Sequence, residues 1–236
     1  MPNHYFQFKQ FKIEQEKCAM KVCTDSCLFG AWVMPDENTG TILDIGTGTG
    51  LLSLMLAQKC HASIHGVEID EAAYSQTKEN FEHSIWKDRL SVSLGDVRSF
   101  DFPKPFDFII CNPPFYENVV DSHAHGEKIA KHSLHLTLSY LICSIEKLLT
   151  SSGKFAILLP FYRKDEMEQL ALRHGYFPEK TIYIRQTYKH DFFRYAAIFS
   201  GNAHGKPSHE EISIKNAENH YTAEAIALLQ SYYLFL

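Results

Sequence analysis

Five short β-rich runs do most to restrict how this 236-residue chain can fold. TILDIG (41–46), SIHGVEI (63–69), LSVSLGD (90–96), FDFIICN (106–112) and KFAILLP (154–160) read as strands, several of them nearly continuous in apolar residues, as strands covered on both faces are. Between them, 50–60, 71–84, 126–149 and 163–174 carry helical periodicity, the last closing at Gly175. Repeated strand-helix-strand units imply an α/β protein with a doubly wound sheet and helices on both faces, because parallel neighbours need a crossover. TIYIRQ (181–186) and RYAAIFS (194–200) follow one another without a helix, so the sheet is expected to end in an antiparallel hairpin. Ahead of the sheet, Phe6 and Phe8 alternate as in a short strand. After it, EISIK (211–215) and an apolar helix over 222–235 are expected to dock back on the domain. No repeat, low-complexity tract or linker interrupts the chain, which predicts one domain over 1–236.

Composition removes several classes. No apolar run approaches the roughly 20 residues that cross a bilayer, and the N-terminal MPNHYFQFKQFKIEQEK lacks the apolar stretch of a signal peptide, so a cytoplasmic protein is expected. The six cysteines form no CxxC pair and the thirteen histidines no HExxH, so free thiols and no metal are expected. The net charge of −5 argues against a uniformly basic surface. Yet 180–206 holds Lys180, Arg185, Lys189, Arg194 and Lys206 against Asp191 alone, so +4 sits here and −9 on the remainder. That asymmetry suits an anionic partner on one face, although a solvated loop carries the same charges.

The first strand runs into DIGTGTG, Asp44 to Gly50, and then directly into a helix. Glycines at Gly46, Gly48 and Gly50 let the backbone turn tightly against a ligand at the C-terminal edge of the sheet. The spacing is GxGxG behind an acid, not the GxGxxG of a dinucleotide site. An Asp beside the turn repels phosphate and suits a zwitterion such as the amino-acid end of S-adenosylmethionine. The alternative is a plain strand-to-helix turn. GVEID places Glu68 about twenty residues on, where an acid accepts ribose hydroxyl protons; Asp70 is the alternative there, or the cap of the next helix. Asp96, in LGD, is placed to accept from an adenine amine, or else it is a turn residue.

The fourth strand leaves through NPPF, Asn112-Pro113-Pro114-Phe115. Two prolines fix an extended, stiff exit that aims Asn112 and Phe115 into the same crevice. Such an elbow answers a chemical problem. The amine on an aromatic base is nearly planar, its lone pair spread into the ring, and it attacks a sulfonium methyl poorly. If the Asn112 side-chain oxygen and the Pro113 carbonyl each accept one of its protons, the nitrogen is drawn toward tetrahedral geometry, while Phe115 stacks on the base. Asn-Pro-Pro also occurs as an ordinary turn.

Taken in this order, DIGTGTG, GVEID, GD and NPPF resemble the class I S-adenosylmethionine-dependent methyltransferases that act on amines. The run FKQFKIEQEKCAMKVCTDSCLFGAW (8–32) narrows the resemblance to the bacterial tRNA(Val) adenine-N6-methyltransferases, which modify the adenine just 3′ of the anticodon. The likeness spans nearly the whole chain. It implies a Rossmann-like fold with a mixed seven-stranded sheet and an antiparallel C-terminal hairpin. It also implies three regions: a 1–40 extension over the cofactor site, a 41–201 core, and a C-terminal strand and helix over 202–236. The implied cofactor is S-adenosylmethionine and the implied substrate is tRNA, with a monomer and no obligatory protein partner expected. Asp44, Gly46, Gly48, Gly50, Glu68 and Asp96 would hold the cofactor, joined by Thr24 and Asp25 of the segment before the sheet, which lie nearer the ligand than Lys21. Asn112 to Phe115 would be catalytic. Where such enzymes tend to show an Ala-Arg step after NPPF, this chain reads EKIAKHS, and Lys128 and Lys131 keep the charge without the planar fork. Together with Lys9, Lys12, Lys189 and Arg194 they are the candidate RNA contacts, an unpaired adenine costing little to splay out.

Two other readings stand beside this one. The same corner suits N5-methylation of a glutamine amide in a protein such as a release factor, but those relatives carry a separate N-terminal helical domain, and too few residues precede the sheet here. A non-catalytic S-adenosylmethionine- or RNA-binding module would leave NPPF without a role.

Overall fold

The computed structural model describes residues 4–113, 136–202 and 205–236. In chain order the strands are β1 (Tyr5–Gln7), β2 (Lys12–Glu14), β3 (Thr41–Ile45), β4 (Ser63–Glu68), β5 (Leu90–Leu94), β6 (Phe106–Cys111), β7 (Leu149–Pro160), β8 (Phe177–Arg185), β9 (Phe192–Ser200) and β10 (Ser208–Ser213). The helices are α1 (Thr24–Trp32), α2 (Leu51–Ala57), α3 (Glu71–Glu82), α4 (Leu138–Leu148), α5 (Lys164–Arg173) and α6 (Ala223–Leu229).

Among the described residues the main sheet has eight strands in the order β10-β8-β9-β7-β6-β3-β4-β5. The five from β7 to β5 are parallel, as their apolar runs require, and β9 is antiparallel to both β7 and β8. The expectation of seven strands is corrected by β10, which pairs in parallel with β8 from Ser208↔Lys180 to Ser213↔Arg185. The C-terminal strand expected at EISIK (211–215) begins three residues earlier and joins the sheet, the open edge of β8 supplying the reason to pair. Other boundaries move. The strand expected over 154–160 begins at Leu149, that expected over 181–186 begins at Phe177, and the helix expected over 222–235 ends at Leu229. Beyond it Tyr232 and Tyr233 turn back against the N-terminus, where Lys9 N–H donates to the Tyr232 carbonyl at 2.8 Å.

Each face of the sheet has its own core. One gathers Leu54, Met55, Phe29, Ile64, Phe108 and Ile198 under α1, α2 and α6; the other gathers Ile109, Ile142, Phe155, Ile157 and Phe199 under α4 and α5. β1 and β2 form a separate antiparallel pair whose flank, with Phe8 fully buried, seals the first core. All six cysteines are free, and no helix among the described residues is long and apolar enough to cross a membrane.

Candidate active site

β3, β4, β5 and β6 end at one edge, so Ile45, Glu68, Leu94 and Cys111 deliver the following loops to a common crevice. The cleft there holds about 1030 Å³ of empty space with its open mouth included, and its lining contains Gly46, Gly48, Glu68, Asp70, Asp96, Arg98 and Asn112. Five of these, Gly46, Gly48, Glu68, Asp96 and Asn112, are site residues expected from the sequence. Cys18, Ala19 and Met20, not among the expected site residues, close the cleft from the N-terminal segment expected over it.

The glycine turn is required by its geometry. Gly46, Gly48 and Gly50 sit at φ of 67°, 60° and 80°, where a side chain is strained. Behind them, Asp44 is fully buried and outside the cleft lining. Its Oδ2 accepts from Thr47 Oγ1 and Ser53 Oγ, both at 2.7 Å, while its Oδ1 has no partner. Burial pushes this carboxyl up to about 6.

Glu68 ties the turn to β4: its Oε2 accepts from Gly48 N–H at 2.9 Å, and its Oε1 accepts from Ile69 and Asp70 N–H at 2.9 and 3.0 Å. Roughly three of a carboxylate's four lone-pair directions are thereby used. Asp70 takes the capping role, its Oδ1 accepting from Ala73 N–H at 2.8 Å. Asp96 grips the Arg98 side chain, whose Nε donates to Oδ2 at 2.8 Å, and it closes a turn by accepting from Arg98 N–H at 2.9 Å. The guanidinium holds the Asp96 carboxyl below its usual range. Both residues line the cleft.

Asn112 leaves β6 with its amide fixed from the other side of the chain. Its Nδ2 donates to Ser26 Oγ on α1 at 2.9 Å, and its Oδ1 is buried with no partner among the described residues. Buried carbonyl oxygens are seldom left so, and the atom belongs to a residue of the cleft wall. Pro113 is described and buried; Pro114, Phe115, Lys128 and Lys131 lie outside the described residues. Thr24 and Asp25 open α1 and are absent from the cleft lining. Asp25 Oδ1 accepts from Ser26 N–H at 3.0 Å and its Oδ2 accepts from Arg194 Nε at 2.6 Å, tying α1 to β9 beside Asn112. Lys21 donates to the Gln15 and Cys18 carbonyls and fastens that turn.

The basic candidates separate in space. Lys189 is exposed in the β8–β9 turn, at the edge that carries Asn112. Lys9 donates to the Gln230 carbonyl at 2.5 Å, next to Ser231, whose carbonyl takes Gln58 at the far end of α2. Lys12 pairs with Glu14 in the same N-terminal hairpin, so both lysines sit toward the opposite edge.

These features define a class first. The fold is that of class I methyltransferases: the crystal structure of a predicted O-methyltransferase from Agrobacterium tumefaciens superposes with a TM-score of 0.68 over 87% of this chain and 95% of its own, at 14% identity. A glycopeptide N-methyltransferase complexed with S-adenosyl-L-homocysteine gives a TM-score of 0.54 over 77% of this chain and 88% of its own, at 11% identity. The family model described as the methyltransferase small domain matches residues 26–159. Within that class, the tRNA1(Val) (adenine(37)-N6)-methyltransferase of Cytophaga hutchinsonii is 39% identical over the full length of both chains. The chain belongs to the tRNA1(Val) (adenine(37)-N6)-methyltransferase family.

Proposed function

We propose that this protein methylates the N6 amine of an unpaired adenine in the tRNA anticodon loop, adenine 37 of valine tRNA, using S-adenosylmethionine. One observation carries the chemistry: Asn112 brings a buried, unpartnered carbonyl oxygen to the cleft that also contains the glycine turn.

The residues present fit the cofactor. Ile69, Ala73 and Val97 offer an apolar surface for a flat base, and Asp96 and Arg98 offer polar atoms at its rim. Glu68, with one lone-pair direction remaining on Oε2, takes a ribose hydroxyl. Gly46 and Gly48 allow close approach of the amino-acid end, with the Asp44 charge behind them. The unsatisfied Asp44 Oδ1 favours a cationic group there. Thr24 and Asp25 act at one remove, holding α1 and so Ser26 against Asn112. When bound, S-adenosylmethionine would supply a methyl group from its sulfonium sulfur, the S–CH3 bond breaking to leave a neutral thioether.

The chain's own residues prepare the nucleophile. Asn112 Oδ1 accepts one N–H of the adenine amine and the Pro113 carbonyl the other, which localises the nitrogen lone pair. Ser26 holds the amide so that this oxygen stays in place. Pro114 continues the stiff exit and Phe115 stacks on the base, roles that rest on the sequence pattern alone. The nitrogen gains a methyl group and releases a proton to solvent, the methylated amine being acidic enough to need no strong base. Lys189 is taken to face the RNA, with Lys128 and Lys131 continuing that charge beyond the described residues. Arg194 supports the site through Asp25. We take 1–236 as one methyltransferase domain, working as a cytoplasmic monomer without an obligatory partner.

The test is direct. Wild-type protein, labelled cofactor and unmodified tRNA should yield N6-methyladenosine, and Asn112→Ala should lower kcat by about 10²–10³ with cofactor affinity held within about twofold. Label in protein glutamine instead would reject the reading, as would full activity of Asn112→Ala.

A further inference from the structure

We infer that the tip of the β8–β9 hairpin, residues 186–191, is a docking platform for RNA flanking the methylated base, with Tyr188 as a stacking surface and Lys189 as a phosphate contact. The inference rests on the tRNA reading above and adds where the rest of the substrate lies. β8 runs in the same direction as β6, so the hairpin tip emerges at the edge that carries Asn112. Three strand spacings separate β8 from β6 sideways, about 14 Å, and β8 continues four residues past the level of Cys111 before the tip begins, which places the tip against nucleotides neighbouring the target and not against the target itself.

The tip is built and rigid. His190 N–H donates to the Thr187 carbonyl at 3.0 Å, Thr187 Oγ1 and His190 Nδ1 are bonded at 2.7 Å, and Lys189 N–H donates to Thr187 Oγ1 at 3.3 Å. Arg185 supports it from below. Its guanidinium lies 5.3 Å from the Tyr188 ring centre and 4.9 Å from that of Phe192, and its Nε donates to Ser213 Oγ at 2.9 Å. Tyr188 is thus ordered by a cation beneath its ring while remaining 59% exposed. An exposed aromatic side chain fixed among cations is what single-stranded RNA readers offer to a base, since any base has a face to stack. Glu211 approaches Arg185 at 3.7 Å and offsets part of its charge, which leaves Lys189, exposed at the crest, as the contact for phosphate. The interleaving of rings and cations favours nucleic acid over a protein surface, and the tip, whose own Lys189 and Asp191 balance, lies within the 180–206 stretch that carries +4 in an otherwise acidic chain.

Steady-state methylation of unmodified full-length tRNA(Val) by the full chain tests this, with cofactor affinity and thermal melting as controls. Tyr188→Ala should raise KM for tRNA about tenfold at unchanged kcat, and Tyr188→Phe should restore it. Lys189→Ala should lower the slope of log affinity against log salt by about one. Unchanged KM in Tyr188→Ala, or a Tyr188→Phe variant as impaired as the alanine, overturns the platform. Failure of the wild type to methylate any tRNA while still binding cofactor sinks the tRNA reading itself, and the platform with it.

Discussion

Substituting alanine for glycine separates two costs that the cofactor turn combines. At Gly50 the backbone sits at φ 80°, and an added Cβ would lie 2.6 Å from Phe81 Cε1 and 3.2 Å from Thr77 Cγ2, both on α3. At Gly175, which ends α5, φ is 77° and nothing lies within 4 Å of the added atom. The left-handed conformation costs a residue with a Cβ about 1–2 kcal/mol at either position. Only Gly50 adds the overlap, which must be relieved by moving a buried ring away from α2, and overpacking of that kind costs about 1–3 kcal/mol more. Gly175→Ala should therefore lose about 1 kcal/mol and Gly50→Ala about 3 kcal/mol, as measured by urea denaturation of the cofactor-free protein at constant m-value. Gly50→Ala should also weaken cofactor binding, because α2 begins at this turn, and Gly175→Ala should not. Equal losses at the two sites would refute the reasoning: the turn would then owe its glycines to backbone conformation alone, and the packing of α3 against it would carry no weight.

Three further outcomes follow from the same geometry. Asp44, raised from 3.8 to about 6, contributes stability that is full below its unfolded value and lost as pH rises through about 6; the cofactor-free protein should lose up to about 3 kcal/mol on this account between pH 4 and 7, and Asp44→Asn should flatten that slope in denaturation series. Asp25→Ala removes a partner of Arg194 and an acceptor of Ser26 N–H, and should cost about 2–3 kcal/mol together with a fall in kcat, read from melting and initial rates. Lys9→Ala and Lys12→Ala, remote from the cleft edge, should leave KM for tRNA within about twofold, and a tenfold rise in either would extend the RNA face to the opposite edge.

The parts of the site that the sequence made legible are those fixed by local backbone geometry. Three glycines at alternate positions announced three positive φ values, and the acid closing β4 announced a carboxylate in the cleft wall, because each is a constraint within a few residues. Asp70 fell to its capping role for the same reason. The Asp96–Arg98 grip was within reach of local reading too, an acid and an arginine two residues apart closing a turn. Ser26 was not: it meets Asn112 across 86 residues of sequence, and a serine on an apolar helix carries no mark of that contact.

Charge was legible only as a sum. The excess across 180–206 drew attention to one region, yet the structure divides its members between separate tasks. Arg194 turns into the protein, where a buried Asp25 uses it to hold α1 beside Asn112. Arg185 lies under two rings and stiffens the hairpin. Lys189 alone of these three stands at the crest in solvent. A count of basic residues therefore overstates the charge available to a polyanion and understates the order of the surface that presents it. Because Arg194 and Asp25 link the hairpin strand to the helix that fixes Asn112, RNA seated on the tip would press on a strand already joined to that amide.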